Sequence, residues 1–312
     1  MQQLAIVIPA YKSTFLRAAL DSIAMQTSQD FTLYIGDDCS PYELGTIVDE
    51  YRDKIDLVYK RFGTNMGGKN LVAQWERCIA MSQGEPYIWL FSDDDVMEPQ
   101  CVKEFLDLDN TTKENFLIHF NLKIIDESGI EDKSILKPYP QILSSKEYLD
   151  RKLYISKGDG LISFVVEFIF SRKVYEETKG FQNYDLAWGA DFMTWLKFSS
   201  KLKGIYTIDK KDACVRWRKS RLNISPNLTR PILLRKIHSL IQNAADIQSY
   251  LINNGYGRSF KHSKFIWGEI WRNRESIKLE ELKIYKNEYI KTVGFSLLGR
   301  LIYMLYRPFF KK

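Results

Sequence analysis

The sequence contains no run of eighteen or more apolar residues, so no helix is expected to span a membrane. It also has no closely paired cysteines: the four in the chain lie far apart and without CxxC spacing, at Cys39, Cys78, Cys101 and Cys214. We therefore interpret them as reduced thiols of a cytosolic protein, outside any disulfide framework or zinc site. A leader peptide is not expected either, because a strand-like run begins directly at Leu4.

The composition is that of a globular protein with a full core. Hydrophobic residues make up 45% of the 312 residues, and the formal net charge is a modest +6. This length allows one large domain or two smaller ones. The basic residues concentrate late in the chain, but their pattern matches no known nucleic-acid-binding module, so nucleic acid is not an expected partner.

The first third of the chain alternates strand-like and helix-like segments. The pattern predicts strands over 4–9, 31–36, 55–62 and 86–91, and helices over 14–26 and 43–53, with a third helix that ends near residue 81. Such alternation is typical of an α/β fold with a parallel sheet and right-handed crossovers. We predict a mostly parallel central sheet flanked by helices, with a helical C-terminal extension.

Three adjacent carboxylates, Asp93, Asp94 and Asp95, follow the apolar run that ends at Phe91. Like charges repel, and a helix N-terminus usually stabilises one acid rather than three, by less than about 2 kcal/mol. Hard divalent cations prefer oxygen ligands. The cluster therefore indicates a Mn²⁺ or Mg²⁺ site at the carboxyl edge of the sheet, where open α/β folds bind ligands.

Other polar residues also follow directly after predicted strands, namely Tyr11, Asp37, Asp38 and the loop from Asn65 to Lys69. In a parallel sheet these ends share one edge. Individually each has a structural explanation, because Asp38 can cap a helix and Asn65 can hold a turn. Their coincidence on one edge favours a binding site.

Several short motifs then occur in a recognisable order. They are Pro9-Ala10-Tyr11, Asp37-Asp38-x-Ser40, Asn65-x-Gly67, Asp93–Asp95 before Pro99, Gly180-Phe181, Gly189-Ala190-Asp191-Phe192 and Trp217-Arg218-x-Ser220-x-x-Asn223-x-Ser225. Together, over roughly residues 3–226, the chain resembles family 2 glycosyltransferases of the GT-A fold. It departs from the family pattern at Ser92, Ala190 and Ser220, where Asp, Glu and His are usual.

The resemblance implies a nucleotide-sugar site and a metal site. Nucleotide-sugar contacts would come from Pro9, Ala10, Tyr11, Asp38, Asn65, Gly67, Lys69, Asp93 and Arg218, and metal contacts from Asp94 and Asp95. Lys69 can equally be an exposed lysine of a first helical turn. Arg218 belongs to the basic segment 216–221, which can clamp a diphosphate or a phosphorylated acceptor lipid, or else form a solvated edge strand.

The resemblance also implies a catalytic carboxylate, Asp191. A sugar hydroxyl is too weak an acid to ionise at neutral pH, so a base must take its proton as the new bond forms. Asp191 would be that base, with Asp185 as its nearest rival. A purely structural role as the N-cap of the following helix is the alternative.

The last third is predicted to be helical, with helices over 231–254, 261–274 and 295–310. We expect a GT-A domain over 1–228, with a nucleotide-sugar half (1–110) and an acceptor and catalytic half (111–228), followed by a helical region over 229–312. Aromatic, aliphatic and basic residues in the tail favour an interfacial helix on anionic lipid, or else a helix that packs on protein.

The expected function is therefore a metal-dependent, inverting glycosyltransferase of the hexosyl or N-acetylhexosaminyl class. Its donor would be a nucleotide sugar, UDP-linked by preference, and its acceptor a glycan or lipid-linked sugar in surface-polysaccharide synthesis. It would be cytoplasmic and peripheral on the membrane. The alternatives are an inactive nucleotide-sugar-binding protein of the same fold and a sugar nucleotidyltransferase, although the latter usually has a glycine-rich loop where Pro9 to Ser13 stand.

Overall fold

The structure, a computed structural model, describes residues 2–132, 136–153, 160–223 and 229–310. The chain forms two compact units. One comprises Met1–Gln182 and Thr194–Ser220, and the other comprises Asn183–Met193 and Arg221–Lys312. The second unit thus includes a short segment from the middle of the chain as well as the C-terminal region. The predicted functional boundary at residue 228 remains a prediction.

The first unit is built on an eight-stranded sheet of order β3-β2-β1-β4-β9-β6-β10-β8. Its strands are β1 (Leu4–Ala10), β2 (Phe31–Asp37), β3 (Leu57–Arg61), β4 (Tyr87–Leu90), β6 (Leu117–Phe120), β8 (Ile142–Leu143), β9 (Phe168–Ser171) and β10 (Ile205–Ile208). β1 pairs in parallel with β2 and β4, and β2 pairs in parallel with β3. β9 runs antiparallel between β4 and β6, and β8 antiparallel beside β10. The predicted mostly parallel sheet is confirmed.

Helices cover this sheet, and strands such as β2 and β4 are buried along their whole length. The helices are α1 (Leu16–Ala24), α2 (Leu44–Asp49), α3 (Leu71–Ile79), α4 (Cys101–Leu106), α5 (Asn110–Asn115), α6 (Ser145–Leu153), α7 (Arg172–Glu177) and, from Thr194 onward, α8 (Ala190–Lys201). Leu16, Leu20 and Ile23 of α1 pack in one core with Ile6 and its strand neighbours. α3 begins after Asn70, whose side chain accepts a hydrogen bond from Ala73 N.

A second, three-stranded sheet has the order β5-β11-β7, with β5 (Val96–Met97), β7 (Leu122–Ile125) and β11 (Val215–Arg218). β11 lies at its centre, antiparallel to β5 and parallel to β7. The basic segment is therefore not a solvated edge strand, and Arg218 is buried. This sheet brings Arg218 to the residues that immediately precede β5, the carboxylate cluster.

The second unit is helical, with α9 (Arg230–Asn253), α10 (Lys261–Arg272), α11 (Leu279–Val293) and α12 (Ser296–Tyr306). α9 begins with Pro231 in its first turn, where a missing N–H costs nothing. The core of the unit is formed by apolar faces of these helices, and includes Leu233, Ile237, Ile241, Ile266, Trp267, Leu282 and Tyr289. The predicted helical C-terminal extension is confirmed.

Candidate active site

The carboxyl ends of β1, β2, β3 and β4 lie along one edge of the sheet, because these four strands run in the same direction. Backbone contacts of Tyr11, just after β1, join two of these ends. Tyr11 N donates a 2.8 Å hydrogen bond to Asp93 Oδ2, and Tyr11 O accepts a 2.7 Å bond from Ser40 Oγ. The sequence-predicted residues after β1, β2 and β4 are thus brought together.

Within the carboxylate cluster, Asp93 and Asp95 are held by the protein. Asp93 Oδ2 accepts hydrogen bonds from the backbone N–H of Tyr11 and, at 2.7 Å, of Lys12. Asp95 accepts from the Ser92 hydroxyl and from Arg218 N, both at 2.6 Å. Ser92, which stands where the family pattern usually has an acid, therefore orients the carboxylate of Asp95.

Asp94 differs from the other two acids. Its carboxylate forms an ion pair with the ammonium group of Lys12, which lies 3.7 Å from Asp93 Oδ1 as well. All three acids are buried, so the cluster concentrates three carboxylates around one lysine side chain. Burial, reinforced by the negative charge of Asp94, raises the pKa of the Asp93 and Asp95 carboxyl groups.

This donor set fits a divalent cation that substrate phosphates help to hold. Within the described part of the chain, no group of three His, Cys, Asp or Glu side chains has metal-binding geometry by itself. Mg²⁺, however, is usually bound by one or two carboxylates together with phosphate oxygens and water. Asp94, whose carboxylate pairs with Lys12 rather than with backbone N–H groups, would be the carboxylate best suited to such a site.

The guanidinium of Arg218 donates hydrogen bonds to backbone carbonyl oxygens. Its Nε donates to Asp94 O at 2.9 Å, and its Nη1 donates to Asp126 O at 2.9 Å and Glu127 O at 3.1 Å. The guanidinium also stacks over the Phe15 ring. These contacts give Arg218 a clear role in holding the cluster, while its phosphate contact remains a prediction.

Asp38 organises the loop after β3. Its carboxylate accepts hydrogen bonds from Met66 N at 2.6 Å and Gly67 N at 2.8 Å, and it pairs with Arg77 of α3. A side chain on Gly67 would place its Cβ 2.7 Å from Asp38 Oδ2, so only glycine allows this close approach. Asn65 closes the same loop by accepting from Gly68 N at 2.8 Å.

The remaining predicted donor residues occupy different environments. Pro9 and Ala10 pair with Gly36 and Asp37 inside the sheet, and the Ala10 side chain is fully buried. Ala10 can therefore approach a ligand through its backbone at most, whereas the Pro9 ring is half-buried. Tyr11 is 41% exposed, so its ring is available for stacking. Lys69 is an exposed turn residue just before α3.

Two residues of this edge were not predicted from the sequence, Lys12 and Arg77. Lys12 directly follows the Pro9-Ala10-Tyr11 motif, and its position after a strand was an available signal. Arg77 lies seven residues after the N-cap Asn70, on the same face of α3 as Gln74, to which it also bonds. No local pattern distinguishes it from an ordinary helix-surface arginine.

Asp191, the candidate base, belongs to the second unit and lies half-buried in the first turn of α8. Its rival Asp185 makes a two-point ion pair with Arg235, with Nε–Oδ2 and Nη2–Oδ1 distances of 2.7 and 2.6 Å. Arg235 holds the pKa of Asp185 below its ordinary value, which makes that carboxylate a weaker base.

A mostly parallel sheet with a carboxylate cluster at its carboxyl edge is the architecture of a GT-A glycosyltransferase. Residues 5–178 match the family described as Glycosyl transferase family 2. The chain therefore belongs to glycosyl transferase family 2, as its motifs predicted, and is a glycosyltransferase.

Known proteins agree with this assignment. The chain is 25% identical over 283 residues to an uncharacterized glycosyltransferase of Rickettsia prowazekii, covering 82% of each. Over 108 residues it is 31% identical to the poly(ribitol-phosphate) beta-N-acetylglucosaminyltransferase TarS of Staphylococcus aureus, which is 33% of this chain and 18% of TarS. The crystal structure of residues 1–349 of S. aureus TarS in complex with UDP-GlcNAc superposes with a TM-score of 0.60 at 14% identity, covering 98% of this chain and 92% of that TarS portion.

Proposed function

We propose that this glycosyltransferase moves a sugar from a UDP-sugar to a hydroxyl of a glycan or lipid-linked acceptor, with inversion at the anomeric carbon. The observation that carries the proposal is the polar edge at which the ends of β1, β2 and β4 are joined through Tyr11. The similarity to TarS, whose structure was determined with UDP-GlcNAc, supports UDP as the nucleotide.

On the donor side, the exposed ring of Tyr11 offers a stacking surface for the base. Asp38 keeps the loop at Met66 and Gly67 close to the end of β2, which shapes the wall of the nucleotide site. Lys12 supplies positive charge beside the carboxylates. These residues would bind and orient the nucleotide.

The sugar leaves behind a diphosphate, whose negative charge must be stabilised. A bound Mn²⁺ or Mg²⁺ supplies that stabilisation, in place of the carboxylic acid that protonates the leaving group in glycosidases. Asp94 would hold the cation, with Asp93 and Asp95 fixed around it by the backbone and by Ser92. A solved mannosyltransferase of Pyrobaculum calidifontis with GDP-Man and Mn²⁺ superposes with a TM-score of 0.51 at 12% identity, over 98% of this chain and 87% of its own, which supports a metal-assisted reaction.

On the acceptor side, Asp191 would accept the hydroxyl proton. As the acceptor oxygen bonds to the anomeric carbon, the bond from that carbon to the phosphate oxygen breaks and its electron pair leaves with the diphosphate. A base is effective here only at hydrogen-bond distance from the hydroxyl. Asp185 is the poorer candidate, because Arg235 already occupies both of its oxygens.

We further propose that α12 brings the enzyme to the cytoplasmic membrane face, in keeping with a lipid-linked acceptor and surface-polysaccharide synthesis. No helix among the described residues is long and apolar enough to cross a bilayer. On α12 and just after it, one face presents exposed apolar side chains at helical spacing, namely Leu297, Leu301, Met304, Leu305 and Phe309. The exposed Arg300 and Arg307 accompany this apolar stripe. Such a pattern suits an anionic lipid surface.

A donor screen tests the proposal. UDP-, GDP- and dTDP-sugars, each with and without Mn²⁺, should be compared by thermal shift, since a ligand that binds only the folded state raises its stability by an amount that grows with the logarithm of ligand concentration over Kd. We expect a UDP-sugar to stabilise the protein only when the metal is present. We also expect the protein to hydrolyse that UDP-sugar slowly when no acceptor is added. Stabilisation without any turnover would instead indicate a nucleotide-sugar-binding protein.

A further inference from the structure

The segment Asn183–Met193, which carries Asp191, has an unusual backbone. Leu186 and Ala187 have φ of 57° and 52°, and Gly189 has φ of 84°. Two consecutive non-glycine residues in the left-handed region are uncommon, and such conformations persist only when their surroundings determine them. The residues that contact this segment lie on α9, in the same unit.

One face of α9 contacts this segment through residues spaced four apart. Arg235 makes the two-point ion pair with Asp185, Ser239 Oγ donates to Asp185 O at 2.9 Å, and Asn243 Nδ2 donates to Gly189 O at 3.4 Å. Positions i, i+4 and i+8 share a helix face, so the contacts form a continuous row. Ser239 and Asn243 are buried, and the ammonium of Lys236 lies 4.2 Å from the centre of the Trp188 ring.

The contact at Gly189 connects this row to the start of α8. The carbonyl of Gly189 accepts both the Asn243 side-chain amide and, at 3.2 Å, Met193 N, which closes the first turn around Asp191. A Cβ on Gly189 would lie 3.2 Å from Asn243 Nδ2, so the two positions are closely fitted. Asn243 therefore fixes the carbonyl from which the first turn of α8 is built.

We propose that Arg235, Ser239 and Asn243 of α9 are positioning residues for glycosyl transfer, because they fix the segment that presents Asp191. This inference rests on the proposed role of Asp191 as the base. The conformation of residues 183–193, and with it the position of Asp191, would then depend on α9. None of the three residues need touch the substrate.

The test compares Arg235→Gln and Asn243→Ala with Arg230→Gln. Arg230 is a matched control, because it is also an exposed arginine of α9 in an ion pair, here with Glu281 of α11. For each variant, kcat and donor KM, UDP affinity, melting temperature and hydrogen–deuterium exchange of 183–193 should be measured. We expect Arg235→Gln and Asn243→Ala to speed exchange in 183–193 and lower kcat about tenfold or more, with UDP affinity within twofold of wild type.

Arg230→Gln should leave both kcat and exchange of the segment near wild type. Faster exchange in 183–193 with wild-type kcat would overturn the positioning role, as would equal losses of kcat in Arg235→Gln and Arg230→Gln. Asp185→Arg with Arg235→Asp, which restores opposite charges, should recover part of the lost kcat. Asp191→Asn, measured alongside, separates the two hypotheses. Wild-type turnover in that variant would refute Asp191 as the base. An inactive Asp191→Asn together with a fully active Arg235→Gln would refute only the positioning role of α9.

Discussion

The ammonium group of Lys12 pairs with the carboxylate of Asp94, the one acid of the cluster that the backbone does not hold. A divalent cation at Asp94 would have to displace or repel this ammonium group. At an effective dielectric constant of about 20, two unit charges about 4 Å apart interact by roughly 4 kcal/mol. Lysine and metal are therefore expected to compete.

Replacing Lys12 with Met should strengthen metal binding in the absence of donor. We expect the affinity of Lys12→Met for Mn²⁺, measured by titration calorimetry, to be about tenfold higher than that of wild type. A tenfold change corresponds to about 1.4 kcal/mol, which is less than the roughly 4 kcal/mol of repulsion between two unit charges at this distance. Lys12→Arg, which keeps the charge, is the control and should stay near wild type. Asp94→Asn should remove the binding. Equal Mn²⁺ affinity in Lys12→Met and wild type would show that Lys12 does not occupy the cation's position.

A methyl group at Gly67 should disturb the nucleotide site. The Cβ of Gly67→Ala would meet Asp38 Oδ2 at 2.7 Å and force the loop away, whereas the Cβ of Gly63→Ala in the same loop would meet nothing within 4 Å. Overpacking of this kind costs about 1–3 kcal/mol. We expect Gly67→Ala to weaken UDP binding about tenfold and Gly63→Ala to leave it unchanged. UDP binding by Gly67→Ala at wild-type affinity would argue against this loop as a wall of the nucleotide site.

Asp191→Asn should abolish transfer while leaving the donor bound. An amide cannot accept the acceptor proton, and loss of a general base typically costs about 10²- to 10⁴-fold in rate. UDP affinity, measured by calorimetry, should stay within twofold of wild type because the proposed nucleotide contacts come from other residues. Turnover at the wild-type rate would eliminate Asp191 as the base.

The apolar stripe of α12 can be tested without removing the helix. Its opposite face includes residues packed in the core of the unit, such as Ile302 and Tyr306, so deletion of 295–312 would also damage that core. Leu301→Gln with Leu305→Gln changes exposed side chains alone. We expect this variant to lose most of its binding to anionic vesicles in a flotation assay. Ile130→Gln, an exposed apolar site in the other unit, is the control. Unchanged flotation of the α12 variant would instead favour a protein partner for this stripe.

The lowered pKa of His119 should make the free energy of unfolding depend on pH. Burial lowers its pKa to about 3, against about 6.5 in the unfolded chain. Between these values the unfolded state binds one more proton, so the group's contribution to stability is complete above about pH 6.5 and is lost as the pH falls. The loss approaches about 1.4 kcal/mol per pH unit.

Urea denaturation at pH 7, 6 and 5 measures this effect. His119→Gln can keep a hydrogen bond to Thr207 Oγ1, which lies 3.2 Å from His119 Nδ1, and it does not titrate. The difference in unfolding free energy between wild type and His119→Gln should therefore shift against wild type as the pH falls. A constant difference over this range would show that His119 does not titrate with a lowered pKa.

The sequence predicted local elements well and long-range pairings poorly. The apolar runs and helical stripes of residues 4–91 indicate their strands and helices because each pattern depends on nearby residues. The antiparallel insertion of β9 between β4 and β6 has no such local signal, since it pairs residues about 50 to 80 positions apart. β11 likewise becomes central only through pairing with β5 and β7.

The same distinction applies to the candidate site. The positions of Asp38 and of Asp93 to Asp95 follow from strand ends, which the sequence shows. Their partners come from other parts of the chain: Arg77 reaches Asp38, and Arg218 donates to Asp95 across 123 positions. The separate tasks of the three carboxylates depend on these partners, so composition and spacing alone leave those tasks open.

Both hydrogen bonds that hold Asp93 come from backbone N–H groups, those of Tyr11 and Lys12. Every residue except proline provides such a donor. The side chain at position 11 can therefore change without loosening Asp93. The proposed stacking of the base on the Tyr11 ring would then vary independently of the carboxylate cluster, which would leave position 11 open to natural or engineered changes of donor specificity.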